Sequence, residues 1–342
     1  MAGAGYDWRV GKGPGREAVL RRAVTIPAYV VWFAASVVLT PAALLVLVPI
    51  DLAGRRRFAL TRAWALVVVY LYAGVAGLAI ATWIRLTRGS SPERYLERNF
   101  ALQCWWGRTL FRAGTRLFGI RVEVEGNEVA STGPFVLLTR HASPIDNLVP
   151  SVLVSDRFGI RLRWVINRNL LRDPCLDIVA NRLQNAFVHA GSEGSVHDLR
   201  KVTSLAKNLG PRDGVAIFPE GALFTPARLA AAIADLREGR DPEIAARAEQ
   251  LRHVLPPHVG GTVSVLNAAA QADVVFCAHA GLDGAATYRS IAAGAPVGVT
   301  LRVRFWRIPA AAIPRGRTER SHWLLEQWQE VDRWVGDALA RD

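Results

Sequence analysis

The chain has 342 residues, enough for one large domain with additions, and it is 51% hydrophobic. Its 42 Lys and Arg against 29 Asp and Glu give a net charge of +13, so acidic partners are expected, either nucleic acid or an anionic membrane surface. Cys104, Cys175 and Cys277 have no metal-ligand spacing and make no disulfide framework, which leaves a reducing compartment as the simpler reading.

Residues 1–22 are Gly-rich and basic and are expected to form a disordered tail. The run Gly11-Lys12-Gly13-Pro14-Gly15 follows no strand and lacks the Lys-Ser/Thr ending of a phosphate loop. Residues 24–50 and 63–84 carry no charge, and each run can cross a hydrocarbon core of roughly 30 Å. A nucleic-acid protein has no use for such runs, so the basic charge is assigned to lipid headgroups and no nucleic-acid partner is expected. The first run is too long for a cleaved signal peptide. Residues 23–86 therefore read as a two-helix membrane hairpin.

Arg9, Lys12, Arg16, Arg21 and Arg22 precede the hairpin, Arg85, Arg88, Arg94 and Arg98 follow it, and Arg55, Arg56, Arg57 and Arg62 lie between its helices. That balance favours both outer ends, and the catalytic domain, on the cytoplasmic side of the cell membrane. A hairpin that dips into one leaflet is the alternative, with Pro27, Pro41 and Pro49 permitting bends. Ala73, Gly77 and Ala81 at four-residue spacing let helices approach closely or face lipid.

Residues 87–342 read as the main domain. Ser91-Pro92-Glu93 starts a helix running to about Phe118. Its Arg94, Arg98, Arg108, Arg112 and Arg116 fall largely on one side, which suits an interfacial helix on anionic lipid or a solvated surface helix. Strands are expected over 120–124, 134–138, 163–166, 186–189, 214–218, 273–278 and 297–306. Helices are expected over 145–154, 194–209, 226–238, 242–253 and 260–271. The alternation predicts an α/β domain, a mixed, largely parallel sheet flanked by helices. Residues 321–339 form an amphipathic helix whose stripe of Leu324, Trp328, Val331 and Val335 should pack on the domain.

The chemistry concentrates at Thr139-Arg-His-Ala-Ser-Pro-Ile-Asp146. Ser143 suits an N-cap and Pro144 the first helical position, which turns Asp146 back toward His141. A carboxylate facing a histidine fixes its tautomer and raises its basicity, as a general base requires. A helix-start carboxylate favourable to the dipole is the plainer reading of the same residues. Phe218-Pro219-Glu220-Gly221 ends another expected strand, and in such sheets sites gather at the carboxyl ends of strands. No strained Gly-x-Ser-x-Gly turn presents Ser143 as a nucleophile.

His141-Ala-Ser-Pro-Ile-Asp146 followed by Phe218-Pro219-Glu220-Gly221 resembles the glycerophospholipid acyltransferases, the lysophosphatidate (1-acylglycerol-3-phosphate) acyltransferases among them. The resemblance covers roughly residues 100–310. Leu255-Pro256-Pro257-His258-Val259-Gly260-Gly261 looks like the family's Pro-containing fourth block, and the helical insert before it is similar to the lysocardiolipin acyltransferase branch. It implies that His141 deprotonates a glycerol hydroxyl, that Asp146 holds the imidazole, and that the oxygen attacks an acyl thioester, usually acyl-CoA. Glu220 and Gly221 would shape the acceptor pocket. Neither metal nor bound cofactor is implied; acyl-CoA is a co-substrate and the acceptor is a membrane lipid.

The sequence departs from the family at three usual phosphate-binding cations. Asn167 stands for a Lys, Ala190 follows Phe187-Val188-His189 where an Arg is common, and Ala222-Leu223 follow Gly221 in place of Thr-Arg. Arg140, Arg168, Arg172 or His189 would have to substitute, and a one-residue shift would put Arg168 in the lysine's place. Otherwise the acceptor is not lysophosphatidate. A phospholipid transacylase working without CoA and a non-catalytic lipid-binding member are the other readings.

Overall fold

The computed structural model describes residues 15–189, 196–239 and 241–341. The tail through residue 14, Ala190 and the start of the helix expected from residue 194 lie outside them. Two long helices come first, α1 (Arg16–Ala53) and α2 (Ala59–Leu86). Residues 16–22, expected in a disordered tail, are thus the first turns of α1, and Pro27, Pro41 and Pro49 stay within one continuous helix. Both helices are long and apolar enough to cross a membrane. The Asp51 carboxylate ties the turn between them, accepting from the Leu60 and Thr61 N–H groups at the start of α2.

The hairpin is fastened to the domain along its length. α3 (Pro92–Phe118) starts at a Ser91 cap and lies between α2 and the sheet, burying Leu102 and Leu110, while Arg94, Arg112 and Arg116 remain exposed. At one end of the hairpin Arg21 and Arg22 both bind the fully buried Asp177 of α5 (Pro174–Ala180). At the other, Arg62 donates to the Leu117 carbonyl at 2.8 Å. The small residues of α2 serve two neighbours. A Cβ on Gly74 would meet Tyr29 of α1 at 2.4 Å, whereas one on Gly77 would meet Cys175 Sγ of α5 at 2.6 Å.

The domain then runs β1 (Arg121–Glu125), β2 (Phe135–Thr139), α4 (Leu148–Pro150) passing into a π-helical stretch at Ser151–Asp156, and β3 (Arg161–Asn167). It continues with α5 (Pro174–Ala180), β4 (Ala186–Val188), α6 (Val196–Leu205), β5 (Asp213–Ile217), α7 (Pro226–Arg237), α8 (Pro242–Ala248) and α9 (Val259–Ala268). β6 (Asp273–Ala280), α10 (Tyr288–Ala292), β7 (Thr300–Ile308) and α11 (Arg317–Leu339) complete it. The sheet order is β1-β7-β6-β2-β5-β3-β4. β6 through β4 are parallel; β7 pairs antiparallel with β6, and β1 pairs parallel with β7 at the edge. The expected α/β, largely parallel sheet is present.

The central strands bury both faces, which is why they read as continuous apolar runs. Val136, Leu138, Val215 and Phe276 point into a core closed by α6, α9 and α11, with Leu324, Trp328, Val331 and Val335 of α11 docked there as expected. Phe135, Leu137, Ala216 and Val275 face the opposite core. Register then sets the site. Leu138 pairs with Ile217 and Thr139 with Cys277, so the residues after β2 emerge between the ends of β5 and β6.

Candidate active site

The helix expected at Ile145 starts later. Residues 144–147 form turns, and α4 begins at Leu148. Ser143 is no N-cap: its hydroxyl donates to the Ala285 carbonyl at 3.0 Å. The cap runs the other way. Asp146 Oδ2 accepts from the Ala142 and Ser143 N–H groups at 2.5 and 2.7 Å, which aims the carboxylate back along the chain. His141 Nδ1 lies 3.3 Å from the same oxygen. A carboxylate only accepts, so Nδ1 carries the proton and Nε2 keeps its lone pair. The His141 ring stacks on Phe218, centroids 4.2 Å apart, and its carbonyl accepts from Phe224 N–H at 2.7 Å.

Glu220 does not face a substrate. It is buried, Oε1 accepting from His141 N–H at 2.6 Å and Oε2 from Leu255 N–H at 2.8 Å. It is a positioning residue that clamps the loop after β2 to the segment before α9. Gly221 makes this turn possible: its φ of +65° lies in the left-handed region that glycine adopts without penalty, and it lines the cavity. Burial pushes the Glu220 carboxyl up to about 8, against the pull of Arg140 and the two N–H donors. Glu220→Gln presents an amide NH₂ to one of those donors, so a loss of about 1–3 kcal/mol is expected in thermal unfolding. The folded wild type holds a proton between the ordinary 4.5 and about 8 that the unfolded chain has released. Wild-type stability therefore falls relative to the variant as pH rises through that window, and unfolding at several pH values measures it.

Arg140, expected as a substitute phosphate ligand, is fully buried instead. It donates to the His253 and His279 carbonyls and pairs with Asp283. Its place one residue before His141, at the end of an interior strand, turns it into the core. Arg168 lines a different cavity, near Glu17 of α1 at 3.8 Å, and sits past the end of β3 in the 3-10 turn Arg168–Arg172. Arg172 is exposed and lines neither cavity. His189 does line the His141 cavity, 3.9 Å from Asp198.

His279 on β6 was not singled out from the sequence. It is fully buried, with Nε2 2.9 Å from the Arg140 carbonyl and 3.6 Å from Asp146 Oδ2. Facing a carbonyl, Nε2 carries the proton, and burial lowers the ring's pKa, so it stays neutral behind the carboxylate. The signal was one imidazole in the apolar strand Asp273–Ala280, which sequence alone does not separate from a packed core histidine.

His141 opens on a cavity of about 510 Å³. Its lining includes the polar Asn147, Asn167 and His258 and the apolar Leu102 and Trp106 of α3 and Leu176 and Val179 of α5. An imidazole–carboxylate pair on a cavity with polar and apolar lining, at the carboxyl ends of parallel strands, lies where α/β enzymes place their sites.

The comparisons with known proteins narrow this class. Residues 121–281 match the Acyltransferase family model, so the chain carries an acyltransferase domain over β1 through β6. The matched span contains both motifs by which the sequence resembles the glycerophospholipid acyltransferases, and neither comparison reaches the lysocardiolipin branch. The crystal structure of the 1-acyl-sn-glycerophosphate (LPA) acyltransferase PlsC from Thermotoga maritima shares the fold, with a TM-score of 0.54 at 16% identity over 84% of this chain and 98% of that one. No curated protein sequence matches.

Proposed function

We propose that the protein is a membrane-bound O-acyltransferase that moves a fatty acyl chain from acyl-CoA to a lipid hydroxyl, with His141 as general base. The observation that carries this is the His141–Asp146 contact on a cavity lined by both polar and apolar side chains. The hydroxyl proton passes to Nε2 as the oxygen forms an ester bond with the thioester carbonyl carbon. Collapse of the adduct breaks the C–S bond, and the imidazolium returns the proton to the leaving thiolate. Asp146 holds the ring and stabilises the imidazolium while it lasts. The apolar lining from α3 and α5 suits an acyl chain.

With purified protein and labelled acyl-CoA, label is expected in a lipid ester with one free thiol released per acyl group. Transfer that needs a phospholipid donor and ignores acyl-CoA would favour the transacylase instead. No transfer of either kind would leave a lipid-binding role.

For the membrane, the reading is a hairpin held in one leaflet. Along α1, Val31, Val38 and Leu45 are 63, 76 and 78% exposed, an apolar face that water does not favour. Yet the linker does not stand apart from the domain as a translocated loop would. Ala59 is fully buried beside Gly294, and Ala63 and Leu66 pack with Phe118, Ala285 and Ile291. Keeping Arg55, Arg56 and Arg57 on the domain's side also avoids translocating three guanidinium groups. A cysteine at the linker, Arg56→Cys, is expected to react with a membrane-impermeant thiol reagent from the same side of sealed vesicles as the domain; reaction only from the opposite side would mean two spans.

A further inference from the structure

The cavity at His141 has a wall unlike the rest of this basic protein. Among the described residues no Lys or Arg lines it, in a chain with 42 of them. The nearby cations are committed elsewhere. Arg140 is buried with Asp283, and Arg168 opens into a second cavity of about 480 Å³ beside Arg21 and Arg163. Arg182 donates to the Ala81 carbonyl and to Asn99. Around His141 the lining instead includes Asn147 and Asn167, Trp164 and Phe218, the latter stacked on His141, His189, and Asp198, which Lys201 pairs from behind the lining.

We infer that the acceptor offers an uncharged polyol to His141, a glycosyl or glycerol head carrying an acyl tail, and not a phosphate monoester. This rests on the acyl-transfer reading above. A phosphate monoester carries about −1.5 to −2 charges at pH 7 and, once out of water, needs guanidinium or ammonium partners. Such a group brought here meets Asp198, whose charge Lys201 already balances at 3.0 Å, and among the described residues no Arg or Lys of the lining. Amide side chains donate to and accept from hydroxyl groups, and aromatic faces take the C–H faces of a polyol.

The test is acyl transfer from labelled acyl-CoA by the purified full-length protein in mixed micelles, with three acceptors matched in acyl chain: a monoacyl glycosylglycerol, lysophosphatidylglycerol and lysophosphatidate. The glycosylglycerol is expected to be used with a kcat/KM at least about tenfold above lysophosphatidate, the deficit lying mainly in KM. Asn167→Lys sets an ammonium on the wall and is expected to raise lysophosphatidate use at least about fivefold without raising glycosylglycerol use. Preference for lysophosphatidate or for the phosphodiester by the wild type overturns this inference and leaves acyl transfer standing. Release of the acyl group to none of the three, with acyl-CoA intact, overturns acyl transfer itself and this inference with it. An unchanged acceptor ranking in a folded Asn167→Lys variant removes Asn167 from the acceptor wall and overturns the placement.

Discussion

His141→Ala is expected to lower acyl transfer by roughly 10²–10⁴-fold, the usual contribution of a general base. The loss should fall on kcat, because the ring acts on a proton that moves only as the ester bond forms. Stability should change little. The side chain is 23% exposed, and its backbone contacts to Glu220 and Phe224 survive truncation. Membrane association should not change, since α1 and α2 make none of these contacts. Flotation with vesicles, thermal unfolding and single-turnover transfer on one preparation separate the three effects. Transfer at the wild-type rate by a folded, vesicle-bound variant would remove His141 from the chemistry.

Arg140→Met is expected to destabilise the fold by about 3–5 kcal/mol, the range for removing one partner of a buried ion pair. The guanidinium is fully buried and satisfies the His253 and His279 carbonyls and Asp283 at once. Burial pushes the Asp283 carboxyl up, yet it stays below the ordinary carboxylate range because Arg140 faces it. Glu220 also lies within reach of that positive charge. Methionine fills similar volume but takes from the two carbonyls and from the Asp283 carboxylate the donor they share. Thermal unfolding in detergent measures the loss. Arg140→Lys should recover only part, because an ammonium cannot hold Asp283 and two divergent carbonyls in one plane. A melting temperature unchanged in Arg140→Met would contradict the network.

The strands around the His141 loop show how far residue patterns carry. The apolar runs of β2, β5 and β6 and the glycine and proline between them were readable, because strands buried on both faces need continuous hydrophobicity. The pairing of His141 with Asp146 was readable from spacing, although the cap proposed for it was not the one that forms. Ser143 lost that role because Ala285, far along the chain, offers its hydroxyl a buried carbonyl. Asp146 accepts instead from the Ala142 and Ser143 N–H groups, which a Ser143 cap would have left alone.

The cations were misread for a related reason. Arg140, Arg168 and Arg172 surround the motif in sequence, and each is chemically suited to a phosphate. Arg140 turns into the core just past β2, and Arg168 and Arg172 lie in the 3-10 turn after β3, so nearness in sequence to a site residue does not carry a side chain into its cavity. Glu220 looked like a pocket residue and became an internal clamp, since only the fold brings the Leu255 N–H within its reach.

By itself the sequence determined the apolar hairpin, the parallel α/β core, the docking stripe of α11 and the imidazole–carboxylate pair. These follow from periodicity and from contacts a few residues apart, where the local geometry is nearly fixed. Only the tertiary structure decided which charges stay in the core, which cavity Arg168 joins, that His279 stands behind Asp146, and that the arginine linker rests on the domain. Those depend on groups tens to hundreds of residues apart competing for the same buried donors and acceptors, and no local pattern records which of them wins.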